Sequence, residues 1–258
     1  MQRLSNERQN VFGAMRLNRY LAQSGLGSRR EVETLITRGE VKINGKVVRD
    51  LATQVDVARD EVVVRGESLR PINVPTYIML NKPVGYVTTA KDEAGRQTVF
   101  ALVKQPVRVF PVGRLDQDSE GLLLLTNDGE LAFRLTHPRF KMPKVYRVFL
   151  NEALRPAAAQ RFREGVMIDE THRVRGDLRF PKASEQRLCD VTLFEGRNRQ
   201  VRKMFAALGY RVRGLQRIQI GPLRLGKLKL GTWRYLTDKE VNQLKTAVGS
   251  TTEKLTVT

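Results

Sequence analysis

The hydrophobic and polar positions of the chain predict a first group of short helices and strands near the N-terminus. Apolar residues at helical spacing indicate an amphipathic helix over residues 16–25. Ser28 and Glu31 form a capping box that starts a second helix, because the serine hydroxyl accepts a helix N–H and the glutamate reaches back. Asn44 and Gly45 lie between two apolar runs and predict a tight hairpin. These elements predict a helix pair with a small hairpin sheet.

A second, longer group of elements begins with an apolar strand at residue 77. Four leucines, residues 122–125, lie between turn signals and predict a strand buried on both faces. Asp128 follows in a turn and is placed to cap a helix over residues 130–136. An alternating run over residues 144–150 predicts another strand. The remaining predicted elements are helices over residues 98–103, 156–164, 199–208 and 237–248, and strands over residues 62–64, 166–169, 174–180, 188–193 and 215–220.

Together these elements predict an α+β protein with two domains. The first is the small helix pair with its hairpin sheet. The second is a larger mixed, mainly antiparallel sheet flanked by helices. A stiff run without periodicity, Pro71 to Pro75, is typical of a linker. The predicted bounds are a disordered extension over 1–14, a first domain over 15–70, a linker over 71–76, a second domain over 77–248 and a flexible tail over 249–258.

Composition narrows the class of protein. The chain has 258 residues, of which 41% are hydrophobic and 28% charged, as in globular proteins. It has neither an apolar run of roughly eighteen residues nor the pattern of a signal peptide. The single cysteine, Cys189, excludes an internal disulfide and is expected in the core, while His137 and His172 are too few and too separated for a metal site. A cytoplasmic protein without metal or membrane partner is predicted. Either Met1 or Met15 is compatible with a natural start.

The charge indicates a polyanionic partner. The net charge is +19 and the pI is about 10.6, which favours nucleic acid first and an anionic membrane surface second. Residues 1–75 carry 13 Lys/Arg and 9 Asp/Glu, so most of the excess lies in the rest of the chain. Residues 196–237 hold 11 basic residues and no acidic one, which argues for a phosphate-binding surface. No P-loop or dinucleotide motif is present, so no nucleotide cofactor is expected.

The polar loop around Asp116 is the strongest candidate for chemistry. It belongs to the run FPVGRLDQDSEGLLLLTNDGELAFRLTHP, residues 110–138. The loop precedes the leucine strand, so the sheet fixes its base while its polar residues can meet a ligand. Residue types alone favour a structural role, in which Asp116 forms an ion pair with Arg114 and stabilises the turn.

The wider context of this loop resembles a known family. The pattern GRLDxxSEGLLLLTNDG is similar to the signature of pseudouridine synthases of the RsuA/RluB type, which modify ribosomal RNA. The runs NKPVG and EGRNRQVRKM resemble two further motifs of that family. The resemblance implies catalytic roles for Asp116, for Tyr146 beside the target base, and for Arg202 as the cation that pairs with the aspartate. Arg199 is the alternative cation, and a purely packed Tyr146 is the alternative for the tyrosine.

The run RLNRYLAQSGLGSRREVETLITRGEVKINGKVV resembles an S4 RNA-binding domain. Such domains present basic side chains of their helix pair to RNA, although surface charges also serve solubility. RNA contacts are implied for Arg16, Arg19, Arg29, Arg30 and Lys42 in the first domain, and for Arg114, Arg197, Arg199 and Lys203 in the second.

The implied function is the isomerisation of a specific uridine to pseudouridine in ribosomal RNA by a monomer that needs no cofactor. Large-subunit RNA is the preferred substrate and small-subunit RNA the alternative. A second class is a non-catalytic S4-type RNA-binding or ribosome-assembly protein, for which the charge and the first domain suffice. A DNA-binding protein is disfavoured, since zinc-finger and basic-zipper motifs are missing.

Overall fold

The structure is a computed structural model that describes residues 13–71, 74–90 and 92–253. The chain forms two compact units that divide after Val74. The predicted α+β class is confirmed, with a small helix pair and hairpin sheet in the first unit and a larger mixed sheet in the second.

The first unit packs two helices against short strands. Its core holds Leu17, Tyr20 and Leu21 from one helix and Val32 and Ile36 from the other, all nearly or fully buried. Its elements are β1 Ala14–Arg16, α1 Leu17–Gln23, α2 Arg29–Thr37, β2 Val41–Ile43, β3 Lys46–Val48, β4 Gln54–Asp56, β5 Val62–Val64 and β6 Glu67–Leu69. The strands form two small sheets, one that pairs β1 with β4 and one with the order β3-β2-β5-β6.

Local sequence signals place the ends of these elements correctly. Ser28 accepts a hydrogen bond from the Glu31 N–H at 3.2 Å, and the Ser28 N–H donates to the Glu31 carboxylate at 2.6 Å, so the capping box is confirmed. Asn44 and Gly45 both have positive φ, +50° and +81°, as the predicted hairpin turn requires.

The predicted disordered extension ends too late. Ala14 lies in β1, where it pairs with Asp56 of β4, and Met15 is buried. A strand of three residues has too little pattern to be recognised, and only its partner strand reveals it. The rest of the extension, residues 1–12, lies outside the described residues.

The second unit is built on a nine-stranded sheet. Its elements are β7 Tyr77–Lys82, β8 Phe110–Pro111, β9 Glu120–Thr126, α3 Gly129–Thr136, β10 Lys144–Leu150, α4 Pro156–Glu164, β11 Val166–Met167, β12 Arg173–Val174, β13 Asp177–Arg179, β14 Leu188–Leu193, α5 Gln200–Ala206, β15 Val212–Ile220, β16 Leu223–Arg224, β17 Trp233–Tyr235 and α6 Asp238–Glu253. Seven strands follow the order β13-β14-β10-β15-β9-β7-β17, and the other two, β8 and β16, pair with β9 and β15. Strands β9 and β15 are parallel and the other pairs are antiparallel.

The leucine strand β9 is buried on both faces, as predicted. Leu122 and Leu124 pack into one core cluster with α3 and α6. Leu123 and Leu125 point the other way, into a second cluster with β7 and the segment that follows it. All four side chains are fully buried, and each contributes about 1.5–3 kcal/mol of hydrophobic free energy. This strand therefore anchors the loop that precedes it.

Helices α4 and α5 cover the other half of the sheet. Phe162 of α4 and Phe205 of α5 stack with ring centroids 5.0 Å apart over β10, β14 and β15. Val201 and Met204 of α5 join this cluster, and Cys189 is fully buried there, as expected. The packing orients the start of α5 toward the loop before β9.

Two predicted helices differ from the structure. Residues 98–103 form only a single 3-10 turn, Val99–Ala101, and Thr98 instead forms a β-bridge with Val87. Helix α6 begins at the predicted capping box of Thr237 and Glu240 but continues to Glu253, past its predicted end near Val248. Gly249 does not end it; a helical glycine costs only about 1 kcal/mol relative to alanine.

Candidate active site

A cavity of 390 Å³ lies in the second unit beside the loop that carries Asp116. Its walls come from this loop, from β10 and β15, and from the segment before α5. Asp116, Lys144, Tyr146, Arg199 and Arg217 are among its lining residues. We call it the Asp116 cavity.

A buried lysine, Lys82, donates hydrogen bonds to the backbone of the loop that carries Asp116. The Lys82 side chain is fully buried, and its Nζ donates to the carbonyl oxygens of Pro83 at 3.0 Å, Asp116 at 3.0 Å and Ser119 at 2.7 Å. Burial lowers the pKa of Lys82 to about 8, although the neighbouring carboxylates oppose the shift. Three carbonyl acceptors match the three protons of an ammonium group, so Lys82 fixes the loop backbone at Asp116 and at Ser119.

A glycine allows the strand after the loop to approach β15. Gly121 pairs with Arg217 and has a φ of +103°. A Cβ at this position would lie 2.3 Å from the Arg217 carbonyl oxygen and 2.8 Å from its nitrogen. No other residue type fits without moving one of the two strands. This close approach brings the Asp116 loop and the Arg217 side chain to one cavity.

The carboxylate of Asp116 faces a cation at moderate distance. Its side chain is about one-third exposed, and its Oδ2 lies 4.0 Å from Nη1 of Arg199. Among the described residues, no ion pair joins Asp116 to Arg114, so the turn-pinning pair suggested by residue types alone is absent there. Asp116 therefore points a solvent-accessible carboxylate into the cavity.

Arg199 is shared between two carboxylates. It donates from Nη1 and Nη2 to the two carboxylate oxygens of Asp118, each at 3.0 Å. Its backbone is left-handed, with a φ of +52°, at the residue just before α5. Partial burial opposes ionisation of Asp118, but the hydrogen bonds from Arg199 and the charges of Arg202 and Arg199 hold its pKa below the ordinary value.

Arg202 does not form the predicted ion pair with Asp116 in the described part of the chain. It donates to the Val212 carbonyl at 3.0 Å and to the Asp118 carbonyl at 2.8 Å, and lies 3.3 Å from an Asp118 carboxylate oxygen. Arg199, the alternative, is the arginine next to Asp116. The reason is that α5 begins after Arg199, so Arg202, a turn further on, is turned toward β15 and the loop backbone.

Tyr146 lines the Asp116 cavity and also packs against the core. It lies on β10, opposite Val191 of β14 and Arg217 of β15, and is half-buried. It contacts both the cluster under α4 and α5 and the cluster beside β7. Tyr146 therefore packs against the core and also faces the cavity, because only part of its ring is covered.

The other predicted RNA contacts are distributed over both units. In the second unit Arg114 and Arg197 line the cavity, Lys203 is exposed on α5, and Arg197 Nε lies 3.4 Å from a Glu195 carboxylate oxygen. In the first unit Arg19 is half-buried on α1. The exposed candidates of the first unit are Arg16, Arg29, Arg30 and Lys42.

Four residues of the site escaped the sequence analysis. Lys82 and Lys144 each lie in a recognised run, NKPVG and KVYRV, and could have been found there. Asp118 follows Asp116 by two residues, but nothing local indicates that two arginines converge on it. Arg217 lies in an alternating strand, and only the pairing of β15 with β9 turns it to the cavity.

Within the described residues, no three His, Cys, Asp or Glu side chains cluster in a way that would hold a metal ion. Over the same residues, every helix is too short or too polar to span a membrane. Chemically, the cavity offers a carboxylate suited to act as nucleophile or base, an aromatic surface, and several donors for anionic or carbonyl oxygens.

Comparison with known proteins gives consistent matches. The sequence model described as RNA pseudouridylate synthase matches residues 76–207, and that of the S4 domain matches residues 15–62. An uncharacterized RNA pseudouridine synthase of Aquifex aeolicus is 42% identical, covering 91% of this chain and 95% of that protein. The ribosomal large subunit pseudouridine synthase B of Bacillus subtilis is 38% identical, covering 89% and 95%.

A solved structure agrees with the sequence matches. A crystal structure of a pseudouridylate synthase superimposes with a TM-score of 0.66 at 33% sequence identity, covering 89% of this chain and 99% of that one. The motifs, the fold and these relatives all point the same way. The chain belongs to the RNA pseudouridylate synthase family and combines an S4 domain with a synthase domain.

Proposed function

We propose that this chain converts a specific uridine of large-subunit ribosomal RNA into pseudouridine. The observation that carries the reaction is the Asp116 cavity, in which a carboxylate on a loop held by Lys82 and an aromatic side chain lie among several cationic side chains. The choice of RNA is supported by the Bacillus subtilis relative, whose name specifies the large ribosomal subunit. Small-subunit RNA remains an outcome of the test.

In this reaction the N1–C1′ bond of the uridine breaks, the uracil turns, and C5 joins C1′. We assign the central role to Asp116, as a nucleophile on C1′ or as a base on the ribose. Arg199, whose Nη1 lies 4.0 Å from the Asp116 carboxylate, places a positive charge beside the reacting group. Arg202 supports the same site through Asp118.

The target base must leave its stack to reach Asp116, which costs a few kcal/mol. Tyr146 would stack on the extruded base, a contact that contributes about 1–3 kcal/mol whatever the base. Basic side chains would hold the RNA backbone. We assign this role to Arg16, Arg19, Arg29, Arg30 and Lys42 in the S4 domain and to Arg114, Arg197, Arg199 and Lys203 around the cavity.

The proposal includes the wider organisation of the protein. The S4 domain would occupy residues 15–70 and the synthase domain residues 77–248, joined by the linker 71–76. The presence of two compact units that divide after Val74 supports this arrangement. We further propose a cytoplasmic monomer that acts without a cofactor.

Pseudouridine mapping of total rRNA, by carbodiimide labelling and primer extension in cells with and without the gene, tests the function. One large-subunit signal should disappear without the gene and return with the wild-type chain but not with Asp116→Asn. Asp116→Asn should still fold and bind RNA, because the amide is nearly isosteric. A change in small-subunit rRNA would reassign the substrate, and an unchanged pattern in all RNAs would favour a binding protein.

A further inference from the structure

Lys144 lines the Asp116 cavity without an acidic partner among the described residues. We propose that its ammonium group donates a hydrogen bond to a carbonyl oxygen of the target uracil and stabilises the negative charge on the ring when its bond to the ribose breaks. The inference rests on the proposed function, since it assigns a further catalytic residue to the same site.

The position of Lys144 suits this role. Lys144 and Tyr146 are two residues apart on β10, so both side chains leave the same face of the strand, about 7 Å apart along it. Both line the cavity together with Asp116. A base that stacks on Tyr146 with its ribose toward Asp116 would therefore present an edge within reach of the long lysine side chain.

The ammonium group of Lys144 has N–H donors available for a ligand. In the described structure its Nζ makes one hydrogen bond, to the Met142 carbonyl at 3.2 Å, and no carboxylate lies within ion-pair distance. Lys82, in contrast, uses all three ammonium protons on carbonyl groups. Burial and then the charge of Arg217 lower the pKa of Lys144 to about 8. Half-buried cations without an acidic partner are uncommon away from functional sites.

Arg217 adds a fixed positive charge to the same wall of the cavity. Its side chain is 2% exposed, and it donates to the Leu122 carbonyl at 2.8 Å and the Arg114 carbonyl at 3.4 Å. Its Nη2 is buried and has no hydrogen-bond partner among the described residues. Carbonyl groups do not neutralise its charge. The wall formed by β10 and β15 is therefore electropositive where it faces Asp116.

This potential matches the charge that the reaction creates. When N1–C1′ breaks heterolytically, the bonding electron pair stays on the uracil and spreads over N1, O2 and O4. The charge disappears when C5 bonds to C1′, after which C5 loses a proton and N1 gains one, with no net redox change. A donor placed in advance at such a charge accelerates a reaction by about 10²–10³-fold. A phosphate group of the RNA backbone is already charged before the reaction begins, so a contact to it would strengthen binding without accelerating the reaction.

Lys144→Met and Lys144→Arg distinguish stabilisation of the reacting ring from a phosphate contact. Both variants are assayed on the rRNA fragment that contains the mapped uridine. With enzyme in saturating excess, Lys144→Met should lower the single-turnover rate about 10²–10³-fold and leave the RNA Kd within about twofold. Lys144→Arg should recover part of the rate, since it retains a donor and a charge. Lys182→Met, which removes an exposed lysine outside the cavity, should match the wild type.

Three results would overturn the inference in distinguishable ways. A saturated rate equal to that of the wild type for Lys144→Met would remove Lys144 from the chemistry. An unchanged saturated rate with weaker binding, and a salt dependence reduced by about one phosphate contact, would make Lys144 a backbone contact instead. Absence of product from the wild-type chain on every rRNA would overturn the proposed function and this inference with it. Circular dichroism of each variant checks that it is folded.

Discussion

Arg199 and Asp118 form a two-point ion pair, with both guanidinium Nη atoms 3.0 Å from the two carboxylate oxygens. The pair joins the loop of Asp116 to the start of α5 across 81 residues of sequence. It also holds Arg199 with its Nη1 at 4.0 Å from the Asp116 carboxylate. Asp118 thus acts as a positioning residue for the cation of the site.

Removing this pair should affect the reaction more than the fold. Asp118→Ala frees Arg199, and small errors in the position of such groups cost up to about 10²-fold in rate. Because Arg199 and Asp118 are both about half exposed, their pair contributes under about 1 kcal/mol of stability. We expect a single-turnover rate lowered about 10–100-fold with a nearly unchanged urea midpoint. Glu130→Ala, which removes the exposed pair with Arg134, is the matched control and should alter neither value.

Alanine variants of Arg199 and Arg202 should differ in their stability. Arg202 is 15% exposed on its side chain and donates to two backbone carbonyls, those of Val212 and Asp118. Arg202→Ala leaves these acceptors without donors, which costs about 1–3 kcal/mol. Arg199→Ala removes an exposed group and should leave the stability near that of the wild type while slowing the reaction. Urea unfolding of both variants checks this; equal losses of stability would contradict it.

Gly121 should be intolerant of any side chain. Gly121→Ala combines a positive φ with a Cβ placed 2.3 Å from a backbone oxygen of Arg217. We expect a loss of about 2–4 kcal/mol in the free energy of unfolding. Gly226→Ala is the control: its φ is +62° but nothing lies within 4 Å of its Cβ, so only the backbone cost of about 1 kcal/mol applies. Similar losses for both would show that the strand contact is unimportant.

Lys144→Met should stabilise the folded chain near pH 7. The folded chain releases the Lys144 proton near pH 8, below the ordinary pKa of 10.5 in the unfolded chain. Between these values the unfolded chain binds more protons, so the wild type regains stability as pH rises. The melting temperature of Lys144→Met should exceed that of the wild type at pH 7, by about 2–4 °C for each kcal/mol.

The difference in melting temperature should shrink between pH 8 and 10.5. Lys144→Arg is the control, because arginine stays charged throughout this range and should show no such convergence with Lys144→Met. A Lys144→Met variant that is less stable at pH 7 would indicate that the hydrogen bond to Met142 outweighs the burial of the charge.

The strength of the local sequence signal in each segment explains which features could be predicted. The leucine strand, the capping boxes at Ser28 and Thr237, and the hairpin at Asn44 are set by neighbouring residues, and the structure reproduces them. The strand β1 at Ala14 and the continuation of α6 to Glu253 were missed, because their few residues carry weak local signals. Asp116 and Tyr146 could be selected as candidates because their motifs are local.

The sequence by itself determined the two groups of elements, the α+β class and the loop that carries Asp116. Only the tertiary structure decided which charges meet in the cavity. Arg199, Arg202 and Arg217 all lie in the basic stretch of residues 196–237, yet each makes a different set of contacts. Their directions depend on where α5 begins and on how closely β15 approaches β9 at Gly121. These are long-range packing relationships, and no local pattern of residues encodes them.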